Sequence, residues 1–315
     1  MNNQQANWIP PELPEHLPHG DMPGDKVCIS QEHLLKAQTL YPALKKLVEA
    51  SLRRNPQGRA VVTVCGGSGV GKSEIASLLA WYLTRDGIGS YTLSGDNYPR
   101  RIPEDNDKER LRVFRVGGLR GLVGSGRYNA DTARRLCALQ EENADFDPAR
   151  QKENDWLDVY QQCGRQALAG YLGSEQEIDF DELTVIVSAF KQGAKQLYLK
   201  RMGRTSSELW YDLADMSSVR VLVIEWTHGN SDRYLGVDIP ILLNSTPAET
   251  LAHRMARHRD GGADSPFTTM VLEIEQRLLE SQAHKARLIL SKSGELMDYA
   301  AYRQLMAQQQ GGNAQ

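Results

Sequence analysis

Cysteine is scarce in this chain: four in 315 residues, at 28, 65, 137 and 163. They are far apart and form no CxxC pair, which argues against a structural zinc centre and a disulfide framework and points to reduced thiols in a cytoplasmic protein. Charge of one sign is lacking too. The 37 basic and 40 acidic side chains leave a formal charge of −3, so no global field favours nucleic acid or an anionic membrane. No run of about 18 apolar residues occurs. The first 25 residues have neither the basic n-region nor the apolar h-region of an export signal. The expectation is a protein that neither leaves the cell nor spans a membrane.

What is present divides the chain. Residues 1–30 carry prolines at 10, 11, 14, 18 and 23, too many for a helix or central strand, and read as an extended arm. His16 and His19 within it read as solvated rather than as metal ligands. Residues 31–57 carry one apolar stripe at helical spacing (Leu34, Leu40, Leu44, Leu47 and Val48 among it), interrupted by Pro42. Residues 58–300 alternate short β-branched runs with helical patterns, the signature of an α/β domain with a mostly parallel sheet and helices on both faces. The strands are expected at Ala60–Cys65, Ser90–Leu93, Val219–Glu225, Ile239–Leu243 and Arg287–Leu290. Residues of about 100–218 are polar, with helices expected over Asp131–Glu142 and Trp156–Leu172. That stretch is too long for a crossover and reads as a helical inserted substrate or lid subdomain. Residues 301–315 read as a fraying tail.

Directly after the first expected strand stands Gly66-Gly67-Ser68-Gly69-Val70-Gly71-Lys72-Ser73, which satisfies GxxxxGK[ST] and opens a helix pattern. Such a loop wraps phosphates because glycine lets backbone N–H groups point inward, while the helix beginning at Ser73 adds its positive end. Lys72 is expected to reach the β- and γ-phosphates of ATP and Ser73 to bind Mg²⁺. A P-loop alone does not separate kinases from GTPases, motors or transporters. There is no NKxD for guanine, and Leu93-Ser94-Gly95-Asp96 departs from LSGGQ after its third residue.

Other residues point to an acceptor side. Asp96 follows the second strand, where open α/β sheets bind ligands, and is a candidate base for an attacking hydroxyl; a turn-capping role is the competing reading. Tyr98 stands beside it, and Arg100 and Arg101 are either binders of an anionic group or surface charges. Glu225 ends an apolar strand, as a Walker-B-type acid does, placed to hold Mg²⁺ or contact substrate. His228 is either a substrate contact or a hydrogen-bonded loop histidine. On the helix opened by Pro247, Arg254 and Arg257 share a face and are candidates for a lid acting on the transferring phosphate, with Gly261-Gly262 as its hinge. Arg201, Arg204, Trp210 and Tyr211 fit either an anionic or ring-bearing ligand or the core.

Taken in order, the GGSGVGKS loop, Asp96 with Tyr98, the strand ending in Glu225, Arg254-x-x-Arg257 and the late strand at Arg287–Leu290 resemble the uridine kinase, phosphoribulokinase and pantothenate kinase group of P-loop kinases. The resemblance covers residues 58 to 295 and implies transfer of the γ-phosphate of ATP, with Mg²⁺, to a hydroxyl of a small molecule, with neither nucleic acid nor membrane as partner and a homodimer as the oligomeric expectation. Two departures stand out: Trp226 follows Glu225 where uridine kinases carry glycine, and the stretch from Asp96 to Val219 is longer than theirs. Gly95-Asp96-Asn97 followed by Lys108-Glu109-Arg110-Leu111-Arg112 also resembles the adenylylsulfate kinases. An ATP-switched binding protein with slow hydrolysis is the alternative from another class.

Overall fold

A computed structural model describes residues 8–14, 17–24, 27–257 and 265–312, with side chains except at 247–248, 253, 256–257 and 309–312. The elements in chain order are α1 (Gln31–Arg54), β1 (Ala60–Gly66), α2 (Lys72–Arg85), β2 (Ser90–Ser94), α3 (Pro103–Gly124), α4 (Ala130–Glu141), α5 (Leu157–Tyr171), α6 (Phe180–Lys191), β3 (Gln196–Met202), β4 (Leu209–Asp215), β5 (Val221–Glu225), β6 (Ile239–Leu243), α7 (Pro247–Arg257), α8 (Pro266–Gln282), β7 (Leu288–Leu290), β8 (Leu296–Met297) and α9 (Tyr299–Gly312).

The main sheet has the order β2-β5-β1-β6-β7-β8. Five strands are parallel and only the short edge strand β8 is antiparallel. Central β1 is buried at every position, which its run of β-branched residues demands of a strand covered on both faces. Val62 and Val64 face a core built with Leu40, Tyr41 and Leu44 of α1 and Ile75, Leu78 and Leu79 of α2. On the opposite face Val61 joins Phe180, Leu183 and Phe190 of α6, while Cys65 joins Leu279 of α8 and Tyr302 and Met306 of α9. The chain leaves β1 toward β2 on one side and reaches β6 on the other, so the crevice at the carboxyl end of β1 is a topological switch point, where such sheets bind ligands.

The helical part of the insert has its own core. Phe114 and Leu122 of α3, Leu136 and Leu139 of α4 and Tyr160 and Leu168 of α5 pack with Met270, Val271 and Ile274 of α8. Helices α3 and α5 meet closely because Gly117, Gly118 and Gly121 face α5; a Cβ at Gly118 would lie 2.5 Å from the Tyr160 ring.

Two expectations need correction. The insert is not wholly helical: β3 and β4 form an antiparallel hairpin whose Leu197, Leu199 and Ala214 pack with α6 against the sheet. The tail does not fray over its described length, because Tyr302 and Met306, one helical turn apart, are buried. The described part of the arm forms no helix or strand and docks on the domain: Trp8 lies 4.5 Å from the Tyr41 ring and 4.9 Å from that of Tyr82, and Leu17 packs on the same core. His16 lies outside the described residues. Among the described residues no helix is long and apolar enough to cross a membrane.

Candidate active site

The loop 66–73 joins β1 to α2 at the switch point. Gly69 and Gly71 have φ of +77° and +92°, a left-handed backbone that favours glycine. Side chains there would also collide: a Cβ at Gly69 would lie 2.9 Å from Arg254 Cγ, and one at Gly71 would lie 2.8 Å from His33 Nε2. Helix α2 opens on Gly71 with no capping side chain, so its first-turn amides keep their capacity for an anion. Lys72 Nζ donates to Gly67 O at 3.1 Å, which sets the ammonium along the loop.

Two residues expected to share a metal meet here. Ser73 Oγ donates to Glu225 Oε2 at 3.1 Å, and Ser94 Oγ donates to Glu225 Oε1 at 2.5 Å. The carboxylate is 2% exposed at the end of β5, facing the loop from the neighbouring strand. A hydroxyl and a carboxylate side by side are hard oxygen donors, which suit Mg²⁺ better than a softer ion. Asp96 is exposed in the single turn Gly95–Asn97 that follows β2. Trp226, the departure from the uridine kinase pattern, fits beneath that turn because Gly95 has no side chain; a Cβ there would lie 2.1 Å from its indole. Arg254 is 5% exposed, donates to Thr250 Oγ1 at 2.7 Å and lies against the loop at Gly69. The Arg257 side chain and Gly261-Gly262 lie outside the described residues.

Other expected contacts are placed differently. Tyr98 is fully buried, its ring 5.1 Å from the Lys200 ammonium; it is a core residue, not a substrate contact. Arg100 donates to Glu175 O at 2.6 Å and pairs with Asp179 at 3.2 Å, and Arg101 reaches Tyr171 and Gln176 O. These arginines tie the turn after β2 to the segment between α5 and α6. His228 is buried edge-on against Trp226, and burial lowers its pKa to about 4, so it is a neutral packing group. Arg201 is buried in an ion pair with Asp21 at 2.9 Å, not presented to a ligand.

Residues not proposed from the sequence as site residues line the space beside the loop. A cavity of about 580 Å³ opens beside the loop, lined by Ser68, Arg110 of α3, Asn143, Thr227, Phe267 and Glu275 of α8. Arg110 Nη2 lies 2.7 Å from Glu177 and 3.7 Å from Glu275. Glu177 is wholly buried; burial works to raise its pKa, but Arg110, the Gly173 amide and Asn106 bring it below the ordinary value. Burial pushes Glu275 up to about 7, with Arg110 and Lys72 opposing and Glu177 and Asp96 adding to the rise. No motif surrounds Glu275, one charged residue among several on its helix, whereas Arg110 stands in the stretch 108–112 that resembles the adenylylsulfate kinases. A second cavity of equal volume, near Asn55, Gln57 and Leu235, lies at the amino end of β1, the far end of the strand from the loop.

The parallel sheet, the loop at its switch point and the acid on the adjoining strand define a P-loop nucleotide-binding fold. No family model matches the chain. It is 36% identical over 265 residues to the bifunctional alpha-galactosidase/sucrose kinase AgaSK of Mediterraneibacter gnavus. That match takes in 84% of this chain and 23% of that protein, so the chain spans less than a quarter of the length of this curated relative. Among solved structures it is similar to a putative fructose transport system kinase from Silicibacter sp. TM1040 (15% identity, 79% and 94% of the two chains, TM-score 0.47). It is also similar to a possible uridine kinase from Bacillus stearothermophilus (14%, 78% and 98%, 0.37) and to D-glycerate 3-kinase from Cryptococcus neoformans (12%, 82% and 98%, 0.42). The sequence relative bears out the resemblance to P-loop kinases; it does not single out the uridine kinases.

Proposed function

We propose that the chain is an ATP- and Mg²⁺-dependent kinase that phosphorylates a hydroxyl of a sugar of the sucrose class. The observation that carries this reading is the cavity whose wall includes Ser68 of the phosphate loop. An acceptor held there lies next to the bound phosphates. Its lining mixes hydrogen-bonding groups (Arg110, Asn143, Thr227, Glu275) with the apolar faces of Phe146 and Phe267, as a polyhydroxylated ring with polar edges and a C–H face requires. The match to a relative named as a sucrose kinase supports the same class.

On this reading the residues take the following roles. The loop amides and the start of α2 bind the phosphates, Lys72 neutralises their charge, and Arg254, packed on Gly69, supplies a second cation beside the loop. Ser73 and Glu225 hold Mg²⁺, which when bound withdraws charge from the phosphate oxygens. Asp96 takes the proton of the attacking hydroxyl at its carboxylate and orients that oxygen. Glu275 and Arg110 hydrogen-bond other hydroxyls of the acceptor and fix which one faces the phosphate.

ADP release with Mg-ATP against sucrose, fructose, glycerate, uridine and adenylylsulfate tests this, with a no-acceptor control. Sucrose or a related saccharide should stimulate release, and Lys72→Ala should lower the stimulated rate by at least about 100-fold without loss of fold. Stimulation by uridine or adenylylsulfate alone would overturn the substrate assignment. Slow release indifferent to every acceptor would favour an ATP-switched binding protein.

A further inference from the structure

The Pro-rich arm reaches the acceptor end of the sheet. Gly20 is buried beside Glu225: a Cβ on it would lie 3.7 Å from Glu225 Oε1. The next residue, Asp21, has a side chain 9% exposed and divides its two oxygens between two parts of the molecule. Oδ1 accepts from Ser94 N at 2.8 Å and from Asn97 Nδ2 at 3.1 Å. These are the residues on either side of Gly95-Asp96. Oδ2 accepts from Tyr91 Oη at 2.9 Å and from Arg201 Nη1 of β3 at 2.9 Å. The circuit closes through the hairpin, since Asn97 Oδ1 accepts from Met202 N at 3.0 Å and Arg201 Nη2 donates to Tyr91 Oη at 3.0 Å.

A single carboxylate therefore joins three segments far apart in sequence: the arm, the turn after β2 and the β3–β4 hairpin. The turn is one short 3₁₀ loop closed by the Tyr98 N–H bond to Gly95 O, with no side-chain cap of its own. Charge-assisted bonds to a backbone amide and a side-chain amide supply restraint from outside. We infer that Asp21 is a positioning residue that fixes the Ser94–Asn97 turn and thereby aims Asp96 at the acceptor. The arm then acts on the site indirectly, through the turn it braces. The kinetic part of this inference rests on the phosphotransferase reading; the structural part does not.

The test uses the full chain and the variants Asp21→Ala and Asp21→Asn. In Asp21→Asn the remaining Oδ1 can still accept from Ser94 N and Asn97 Nδ2, but an NH₂ group is turned toward the Arg201 guanidinium, so the turn side is kept and the hairpin side is broken. Amide hydrogen exchange in Asp21→Ala should be at least about tenfold faster over residues 91–100, as follows from losing one or more bonds to a charged group. Exchange over the phosphate loop, 66–75, should be unchanged, and Asp21→Asn should lie between Asp21→Ala and the parent over 91–100. With sucrose as acceptor, kcat of Asp21→Ala should fall on the order of 10- to 100-fold while KM for ATP stays within about twofold, as a misaimed reacting group would give. Unchanged protection over 91–100 would overturn the inference. So would equal loss of protection over 66–75 or an unchanged kcat. If the parent phosphorylates no acceptor, the phosphotransferase reading fails, and the exchange pattern alone decides whether Asp21 braces the turn; if it phosphorylates an acceptor other than sucrose, kcat is read with that acceptor.

Discussion

Replacing Glu275 by glutamine should remove a pH dependence of stability that the wild-type protein carries. The side chain is 12% exposed, 3.7 Å from the Arg110 guanidinium, and that guanidinium is held more closely by Glu177 at 2.7 Å. Glu275 thus has the smaller share of one cation. Burial pushes its pKa from 4.5 to about 7. Between those values the folded protein holds a proton that the unfolded chain has released. Stability rises with pH where the unfolded state binds more protons, so here it falls as pH increases from 4.5 to 7 and levels off above. The fall amounts to about 3 kcal/mol. Glutamine has no such proton, so the difference in stability between Glu275→Gln and wild type should move in the variant's favour by about that amount between pH 4.5 and 8, whatever constant offset the new amide introduces. Urea denaturation of both proteins at several pH values reads this directly. Parallel stability curves would refute the reasoning and place the Glu275 carboxyl in contact with water.

Gly95→Ala should destabilise the protein by about 1–3 kcal/mol, as overpacking does, because the added methyl would lie 2.1 Å from an indole that is itself 2% exposed; chemical denaturation checks it. Ser73→Ala should leave the fold intact yet raise the Mg²⁺ concentration needed for half-maximal ATP binding, read by calorimetric titration at fixed ATP. An unchanged Mg²⁺ requirement would remove Ser73 from the metal-binding pair.

The phosphate loop was legible because everything that defines it is contiguous: a β-branched strand, glycines at turn positions, and a lysine and serine at a helix start. Helix α1 and strand β6 fall where periodicity placed them, since each buries a simple stripe or run. The hairpin was not legible. Lys200 and Arg201 interrupt the apolar pattern of β3, and they are buried only because Glu182 and Asp21, from other parts of the chain, pair with them. Tyr98 and His228 were misplaced for a related reason. Residue type and strand-end position set them near the site, but the packing of Trp226 and Lys200 turned both into the protein. Asp21 and Glu275 gave no local signal, because their significance lies in partners 70 or more residues away.

The single guanidinium of Arg110 also bears on how this protein could change its substrate. It pins α3 to Glu177, on the link between α5 and α6, and lies near Glu275 on α8, so the end of the cavity nearest the phosphate loop is held by one shared charge. The other rim, around Asn143, Phe146, Ser265 and Phe267, is built from chain connections and helix ends that carry none of that charge. Substitutions there can reshape the pocket without disturbing the phosphate end. For the proposed phosphotransferase, that division would let the acceptor pocket drift in size while the phosphate site stays fixed.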